Sequence, residues 1–310
     1  MISCNNEEEK TNLIYCVIQP NDYNPMYHAF LNGCIKAAQE NSLSKNYNII
    51  IDNKVPESQD NSSYENLTIE AINSAKMNLF AGLMLNPINS TKLKILIEQG
   101  ALAGIKIFTL ESDVLNSLRY SYFGPDNYNY GKQLGIEAIT AINAGGVVAI
   151  LAGTKNNNAQ QQRISGILDK INEEWFVYVT LATNGIIYTD GSPQDSKEKF
   201  LKFDSENHVD VWVILNSSIF FADDIFPFKP GKVKIIACDG FPKQLEYMDK
   251  DYICSIVVCD YFTMGENMLN SMINLTQYEI EPEVNNYINL RTIHKGNIEE
   301  WLGNWNNWLK

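Results

Sequence analysis

The sequence predicts an α/β protein of two Rossmann-like lobes, each a parallel sheet flanked by helices, with the chain crossing between the lobes more than once. Three observations predict this. Apolar runs rich in β-branched residues alternate with segments of helical period, spaced roughly 25–30 residues apart as βαβ units require. The alternation starts near residue 13, breaks, and restarts near residue 145. A further helix and strand follow the second series, and no Gly/Ser or Pro-rich linker separates the halves. A length of 310 residues also exceeds what one compact core usually takes.

In order, the strands of the first half are "LIYCVIQP" (13–20), "YNIII" (47–51), "FAGLMLN" (80–86) and "GIKIFTL" (104–110). They are near-continuous apolar runs, as expected of strands buried on both faces. Between them "MYHAFLNGCIKAAQE" puts Phe30, Cys34, Ala37 and Ala38 on one helical face, and "STKLKILIEQGAL" does the same with Leu93, Leu96 and Ile97. The second half repeats the pattern with strands "GGVVAILAG" (145–153), "FVYVTLAT" (176–183), "VDVWVIL" (209–215) and "KVKIIACD" (232–239). "AQQQRISGILDKI" and "PQDSKEKFLKFDSEN" are its helices. A late helix (261–275) and a late strand, "YINLRTI" (287–293), complete the series. The tail "NIEEWLGNWNNWLK" places Trp301, Trp305 and Trp308 on one helical face, which suits a helix docked on its own lobe. A contact surface for a partner or a membrane is the other reading.

A formal net charge of −13 repels nucleic acid and anionic membrane surfaces, so a sequence-independent grip on DNA is excluded. His28, His208 and His294 lie far apart, and no Cys/His spacing resembles a zinc or haem site, so no cofactor is expected. No stretch is long and apolar enough to span a bilayer. "GxSxG", Walker and "GxGxxG" patterns are absent, which argues against an enzyme. Cys16, Cys34, Cys238, Cys254 and Cys259 mostly sit in apolar runs and do not suggest a disulfide framework. The opening "MISCNNEEEK" resembles the mature start of a bacterial lipoprotein, tethered through lipid on Cys4; a disordered N-terminus with an incidental cysteine is the other reading.

In open α/β sheets ligands sit beyond the carboxyl ends of the strands. The residues just past each strand are Asn24, Met26 and Tyr27; Asn86; Glu111 to Asp113; the 153–161 loop; Tyr188 to Asp190; Asn216; Asp239; and Cys259 to Asp260. Amides and carboxylates match the hydroxyls of a polyol, and aromatic groups pack the apolar face of a sugar ring. Other readings compete. Asn24 before Pro25 is also a normal helix N-cap, Met26 and Tyr27 could be core, and Glu111 and Asp113 could be turn carboxylates.

"VIQPNDYNPMYHAFLNGCIKAAQE" resembles the first strand and helix of type I periplasmic sugar-binding proteins, especially the ribose-binding group. "AGLMLNPINSTKLKILIEQGALAGIKIFTLESD" resembles that family's strand–helix–strand. "YFGPDNYNYGKQLG" resembles its first hinge, and "GVVAILAGTKNNNAQQQRISGI", "VWVILNSS" and "KIIACDGFPKQLEYM" follow in family order. The resemblance covers about residues 12–294. It implies a three-segment hinge between a first lobe of residues 12–125 and 260–287 and a second lobe of 126–259 and 288–297. A polar tether, 1–11, would precede them and a Trp-rich helix, 298–310, would follow.

The resemblance carries ligand contacts onto Asn24, Met26, Tyr27, Glu111, Asn216 and Asp239, and the strand-end position adds Asp190 to the expected site. Met26 and Tyr27 stand for two phenylalanines and Glu111 for a shorter aspartate, and other positions depart further from the family's pattern. Ser112 and Gln161 stand where arginines are usual, Cys238 where an aromatic is common, and Cys259 where a glutamine is expected; Arg163 is kept. Two acids with few guanidinium forks disfavour anionic ligands. They suit a neutral monosaccharide or polyol, a nucleoside, or a ligand carrying an amine.

The resemblance therefore implies an extracytoplasmic, monomeric solute-binding protein that closes its lobes on such a ligand and delivers it to an ABC permease. The alternative is a receptor lipoprotein that reports a nucleoside or signal molecule to a membrane sensor. A lactose-repressor-type regulator shares the fold but needs a DNA-binding helix pair before the first strand, where only eleven polar, acidic residues stand. An enzyme on the same fold would use Glu111 or Asp239 as a base.

Overall fold

The computed structural model describes residues 11–44, 47–57, 61–142, 145–173 and 178–310; Cys4, the proposed lipid site, lies outside them. The first half contains β1 (Thr11–Ile18), α1 (Pro25–Ser44), β2 (Tyr47–Lys54), α2 (Asn61–Lys76), β3 (Gly82–Leu85), α3 (Ser90–Leu102), β4 (Ile107–Leu110) and β5 (Ser121–Gly124). The second contains α4 (Asn127–Ala141), β6 (Gly146–Ala152), α5 (Asn158–Glu173), β7 (Val179–Tyr188), α6 (Pro193–Glu206), β8 (Val211–Ile214), β9 (Lys234–Cys238), α7 (Pro242–Asp249) and β10 (Ser255–Cys259). Then come α8 (Tyr261–Tyr278), β11 (Asn285–Tyr287), β12 (Leu290–Ile293) and α9 (Ile298–Trp308).

The strands form two six-stranded sheets of the same plan: β11-β5-β4-β3-β1-β2 and β12-β10-β9-β8-β6-β7. All neighbours run parallel except β12, which is antiparallel to β10. The late strand expected over 287–293 is two strands. Residues 285–287 pair with β5 in the first sheet, and residues 290–293 pair with β10 in the second. The chain thus passes between the sheets after β5, after β10 and after β11.

Strands β5 and β10 were not among the expected runs. "SYFG" is short and leads into a Pro-Asp turn, and "SIVVC" runs directly into the cap of α8. The strand expected to stop at residue 183 continues to Tyr188 as β7. A register shift opposite Val148–Ile150, with Asn184 at φ 56°, lets the chain bulge and resume pairing.

Helices α1 and α8 cover one face of the first sheet, where Phe30, Cys34, Ala37, Met264, Met268 and Met272 are buried together. Helices α2 and α3 cover the other, with Tyr64, Leu93 and Ile97. Helices α4 and α5 cover one face of the second sheet. The α1/α8 cluster runs on through Phe220, Phe241 and the indoles of α9, so one apolar core spans both lobes. All three indoles are buried, which removes them as an outward surface for a partner or membrane.

Both lobes use the same device to bring two helices close. A Cβ on Gly33 would overlap the carbonyl oxygen of Phe262, and one on Gly265 that of Phe30. In the second lobe, Gly131 abuts the carbonyl of Arg163, and Gly166 that of Tyr128. Crossing at paired glycines seats α8 on α1 and α4 on α5 at backbone contact, close beside the crossings after β10 and β5.

Candidate functional site

A cleft of about 580 Å³ opens where the carboxyl ends of the two sheets face each other. Its first wall begins at the turn after β1. Asn24 Oδ1 accepts from the Met26 amide at 3.1 Å, Asn21 Oδ1 accepts from the Asn24 amide at 3.1 Å, and Gln19 Nε2 donates to the Tyr27 carbonyl at 2.8 Å. The turn is therefore both a helix cap and a wall of the cleft, with Asn24, Met26 and Tyr27 in the lining.

Asn86, just past β3, donates from Nδ2 to Tyr27 Oη at 3.2 Å and to Glu111 Oε2 at 3.0 Å. Its Oδ1 is buried without a partner. A buried acceptor left unpaired is costly and rare, and the residue that carries this one lines the cleft.

Glu111 follows β4 with φ 61°. Its amide donates to Phe123 O, and its own carbonyl accepts from Tyr122 Oη and Asn127 Nδ2, each at 2.9 Å. Its Oε1 lies 3.2 Å from a terminal guanidinium nitrogen of Arg163, a fully buried side chain of the second lobe. Arg163 Nε donates to Asn127 Oδ1 at 2.7 Å, and the guanidinium lies 4.2 Å from the Tyr130 ring centre. Burial pushes the Glu111 carboxyl up; the Arg163 charge opposes this, and the nearby Asp239 charge adds to it.

Asp239 follows β9 with φ 84°. Its amide donates to Val257 O at 3.1 Å, and its Oδ1 accepts from Tyr261 Oη, at the start of α8, at 3.0 Å. Asn216, past β8, lines the cleft with its polar atoms committed. Nδ2 donates to Thr189 Oγ1 and Ser196 Oγ at 2.8 and 2.7 Å, and Oδ1 accepts from the Ser218 amide. Asp190 is an exposed rim carboxylate that accepts from the Ser192 amide.

Four expected site residues stand outside the lining. Ser112 is fully buried beneath it, with Oγ 3.3 Å from Asn157 Oδ1. Gln161 turns along α5 to pair with Tyr188 Oη, and its neighbour Gln160 lines the cleft instead. Cys238 is the last residue of β9, and strand alternation aims it into the α4/α5 core, where Sγ donates to Leu215 O at 3.2 Å. Cys259 is buried at the end of β10, and burial raises both thiols. Arg163, the arginine kept in the sequence, brings a guanidinium to the cleft lining, and Ser112 and Gln161 bring none. Asp113, considered as an exposed turn carboxylate, is buried and bidentate with Arg119 at 2.6 Å.

Sequence reasoning missed Tyr23, Tyr64 and Ser218 in the lining. Tyr64 comes from α2, whose apolar face is weak in a polar sequence. Tyr23 lies in the turn quoted for its neighbours, and its ring meets Phe221 of the opposite lobe edge-on at 5.0 Å. On another part of the rim the Ser90 amide donates to Asn156 O. The lobes thus touch around the cleft through these contacts as well as through Ser112 and Asn157.

Among the described residues no group of acids, histidines or cysteines could hold a metal ion, and no helix is long and apolar enough to cross a membrane. What the cleft offers is hydrogen-bonding groups from two lobes joined by three crossings. The family described as "Periplasmic binding protein domain" matches residues 14–280. The chain belongs to this periplasmic binding protein family. Solved structures agree on the type I periplasmic binding protein fold. GanP, a glucose-galactose binding protein from Geobacillus stearothermophilus, superposes with a TM-score of 0.81 at 18% identity, over 93% of this chain and 99% of that one. A carbohydrate-transporter solute-binding protein from Agrobacterium radiobacter, in complex with D-arabinose, gives 0.79 at 18% identity, over 98% and 100%. The XylFII–LytSN complex gives 0.77 at 19% identity, over 92% and 98%. No curated protein sequence matches the chain significantly. In this family member the cleft between the lobes is the candidate solute site.

Proposed function

We propose that the protein is an extracytoplasmic solute-binding protein that closes its lobes on a neutral monosaccharide or related polyol and delivers it to an ABC permease. The observation that carries this reading is the set of amide and carboxylate groups that both lobes bring to one cleft, Asn24, Asn86 and Glu111 from the first and Gln160 and Asp239 from the second. Such a set offers hydrogen-bond donors and acceptors to one bound molecule. The guanidinium that lines the cleft, on Arg163, is already paired with Glu111. Hydroxyl groups, which donate and accept, fit such a lining better than phosphate or carboxylate groups. The volume lies in the range of small-molecule sites. The sugar ligands named for GanP and for the Agrobacterium protein support the same class.

The XylFII–LytSN structure, a complex with a second protein, favours a second reading in which the closed form is reported to a membrane sensor. In both readings the chain needs no catalyst, and lipid on Cys4 would hold it at the outer face of the membrane.

The test is mass spectrometry of the small molecule released when the purified protein is denatured, with thermal shifts against pentoses, hexoses, polyols and nucleosides. A stoichiometric sugar or polyol is expected. A nucleoside would correct the ligand class. No released molecule and no shift across the panel would overturn the reading.

A further inference from the structure

The C-terminal helix α9 ends its chain of contacts one residue from the cleft. Trp301 Nε1 and Trp305 Nε1 both donate to the carbonyl oxygen of Gly240, at 2.8 and 2.6 Å. Both indoles are buried, and that carbonyl uses both lone pairs on them. Gly240 follows Asp239 directly, and the two residues have consecutive positive φ angles, 84° and 71°. An aspartate held there is strained relative to ordinary backbone, and such a turn persists only where its surroundings fix it. A Cβ on Gly240 would overlap a Val258 methyl, so the turn is also pressed against β10.

The other bonds of this turn hold its ends. Gln244 Nε2 donates to Cys238 O at 2.8 Å, and the Phe241 amide donates to Gln244 Oε1 at 3.1 Å. The indoles hold the Gly240–Phe241 peptide at its carbonyl and Gln244 holds it at its amide. Asp239 is tied through its own amide to Val257 O and Tyr130 Oη and through Oδ1 to Tyr261 Oη. The indoles thus fix the far side of the strained pair, and without them Gly240 can relax its backbone and shift Asp239 with it. The spacing of the two indoles, one helical turn apart, lets one helix face present both donors to a single acceptor.

We propose that Trp301 and Trp305 are positioning residues for the solute site: through the Gly240 carbonyl they hold the Asp239 carboxylate toward Glu111 and the cleft. The significance for solute recognition rests on the reading of the cleft given above; the positioning itself does not. Helix α9 also reaches the first lobe, where Asn32 Nδ2 donates to the Trp308 carbonyl at 2.7 Å. Placement of Asp239 is thereby tied to contacts outside the cleft.

The experiment uses the ligand-free full chain and follows the Glu111 carboxyl by carbon-13 NMR as pH is varied. Groups facing Glu111 are Arg163, Asp239, Asn86, Tyr27 and Tyr122. Asp239→Asn removes one of the charges that push this carboxyl up, so its midpoint falls; this fall is the reference. Trp301→Phe and Trp305→Phe keep a ring in the core and remove one donor each. Each is expected to lower the Glu111 midpoint by a clear part of the reference fall, and neither should lower it further in the Asp239→Asn background. A merely structural role would lower the melting temperature and leave the midpoint in place, which would overturn the proposal. If the double variant does not fold, the single variants still decide. With D-arabinose as probe in the same samples, no binding by the parent chain would count against arabinose as the solute, while the carboxyl midpoint would still decide the positioning.

Discussion

Glu111 and Asp239 occupy the same position in the two halves of the protein. Each is the first residue after the fourth strand of its lobe in chain order, each has a positive φ, and each lines the cleft. Left-handed backbone at a residue with a side chain costs about 1–2 kcal/mol, so the repeated plan keeps a strained acid at the carboxyl end of a central strand in each sheet. Asn86 and Asn216 are a second such pair, following β3 and β8. The duplication brings two carboxylates close enough for the charge of Asp239 to raise Glu111, with Arg163 opposing it.

Arg163 is therefore expected to be worth most where Glu111 is ionised. Glu111 has a folded-state pKa above its unfolded value, so the folded protein holds its proton longer and loses stability as pH rises through that window. Arg163→Met removes the opposing charge, raises the folded value further and widens the window. The variant should lose about 3–5 kcal/mol at neutral pH, as expected for breaking a buried pair, and less at about pH 5. Urea unfolding at both pH values checks this. An equal loss at both would show that packing of the side chain, not its charge, is what matters.

Asn86 and Asn216 should separate affinity from stability. Asn86 keeps an acceptor with no partner, whereas the polar atoms of Asn216 are committed to Thr189, Ser196 and Ser218. Asn86→Leu is expected to weaken solute binding by about 1–3 kcal/mol, the worth of a buried hydrogen bond to ligand plus its desolvation. Asn216→Leu should instead show up as a lower melting temperature. Calorimetry with the solute identified by mass spectrometry, run beside thermal scans, tells the two apart. Similar affinities for Asn86→Leu and the parent would remove Asn86 from the site.

These positions also show what the sequence made legible. Long apolar runs bounded by polar turns located most strands, and the strand-end rule named Asn24, Asn86, Glu111, Asn216 and Asp239 for the cleft. It failed where side-chain direction decides. Gln160 and Gln161 are adjacent on one helix, and only the register of α5 against β7 turns Gln161 toward Tyr188. Cys238 and Asp239 are adjacent on one strand, and alternation sends the thiol to the core. The residues 287–293 read as one strand because the switch between sheets leaves no break in composition.

The glycine crossings predict an intolerance that sequence pattern alone would not suggest. Alanine is normally the better helix former, by about 1 kcal/mol. At Gly265 its methyl would meet the carbonyl of Phe30, and at Gly131 that of Arg163. Gly265→Ala and Gly131→Ala should each destabilise by about 1–3 kcal/mol or more, as overpacking against backbone does. Gly303→Ala, on α9 with nothing near its Cβ, should be neutral or slightly stabilising. Denaturant midpoints for the three variants check this, and a stabilised Gly131→Ala would refute the close approach of α4 to α5.

The rim contact between Tyr23 and Phe221 should set how readily the cleft opens. Tyr23 sits in the first turn of the first lobe, while Phe221 is stacked on Phe241 in the second, with ring centres 5.0 Å apart. The Tyr23 ring thus meets an aromatic pair carried by the opposite wall. An edge-to-face contact is worth about 0.5–1.5 kcal/mol, and opening the cleft breaks it without disturbing either lobe's own core. Tyr23→Ala should speed solute release about 2–10-fold and change association little, because the encounter takes place with the rim already parted. Without ligand the same variant should have a larger radius of gyration by small-angle scattering. Phe221→Ala should act in the same direction, and the two changes together should add little to either alone, since both remove one contact. Additive effects on the release rate would mean that the rings act separately and that the rim is held elsewhere, with the Ser90–Asn156 hydrogen bond the next contact to break.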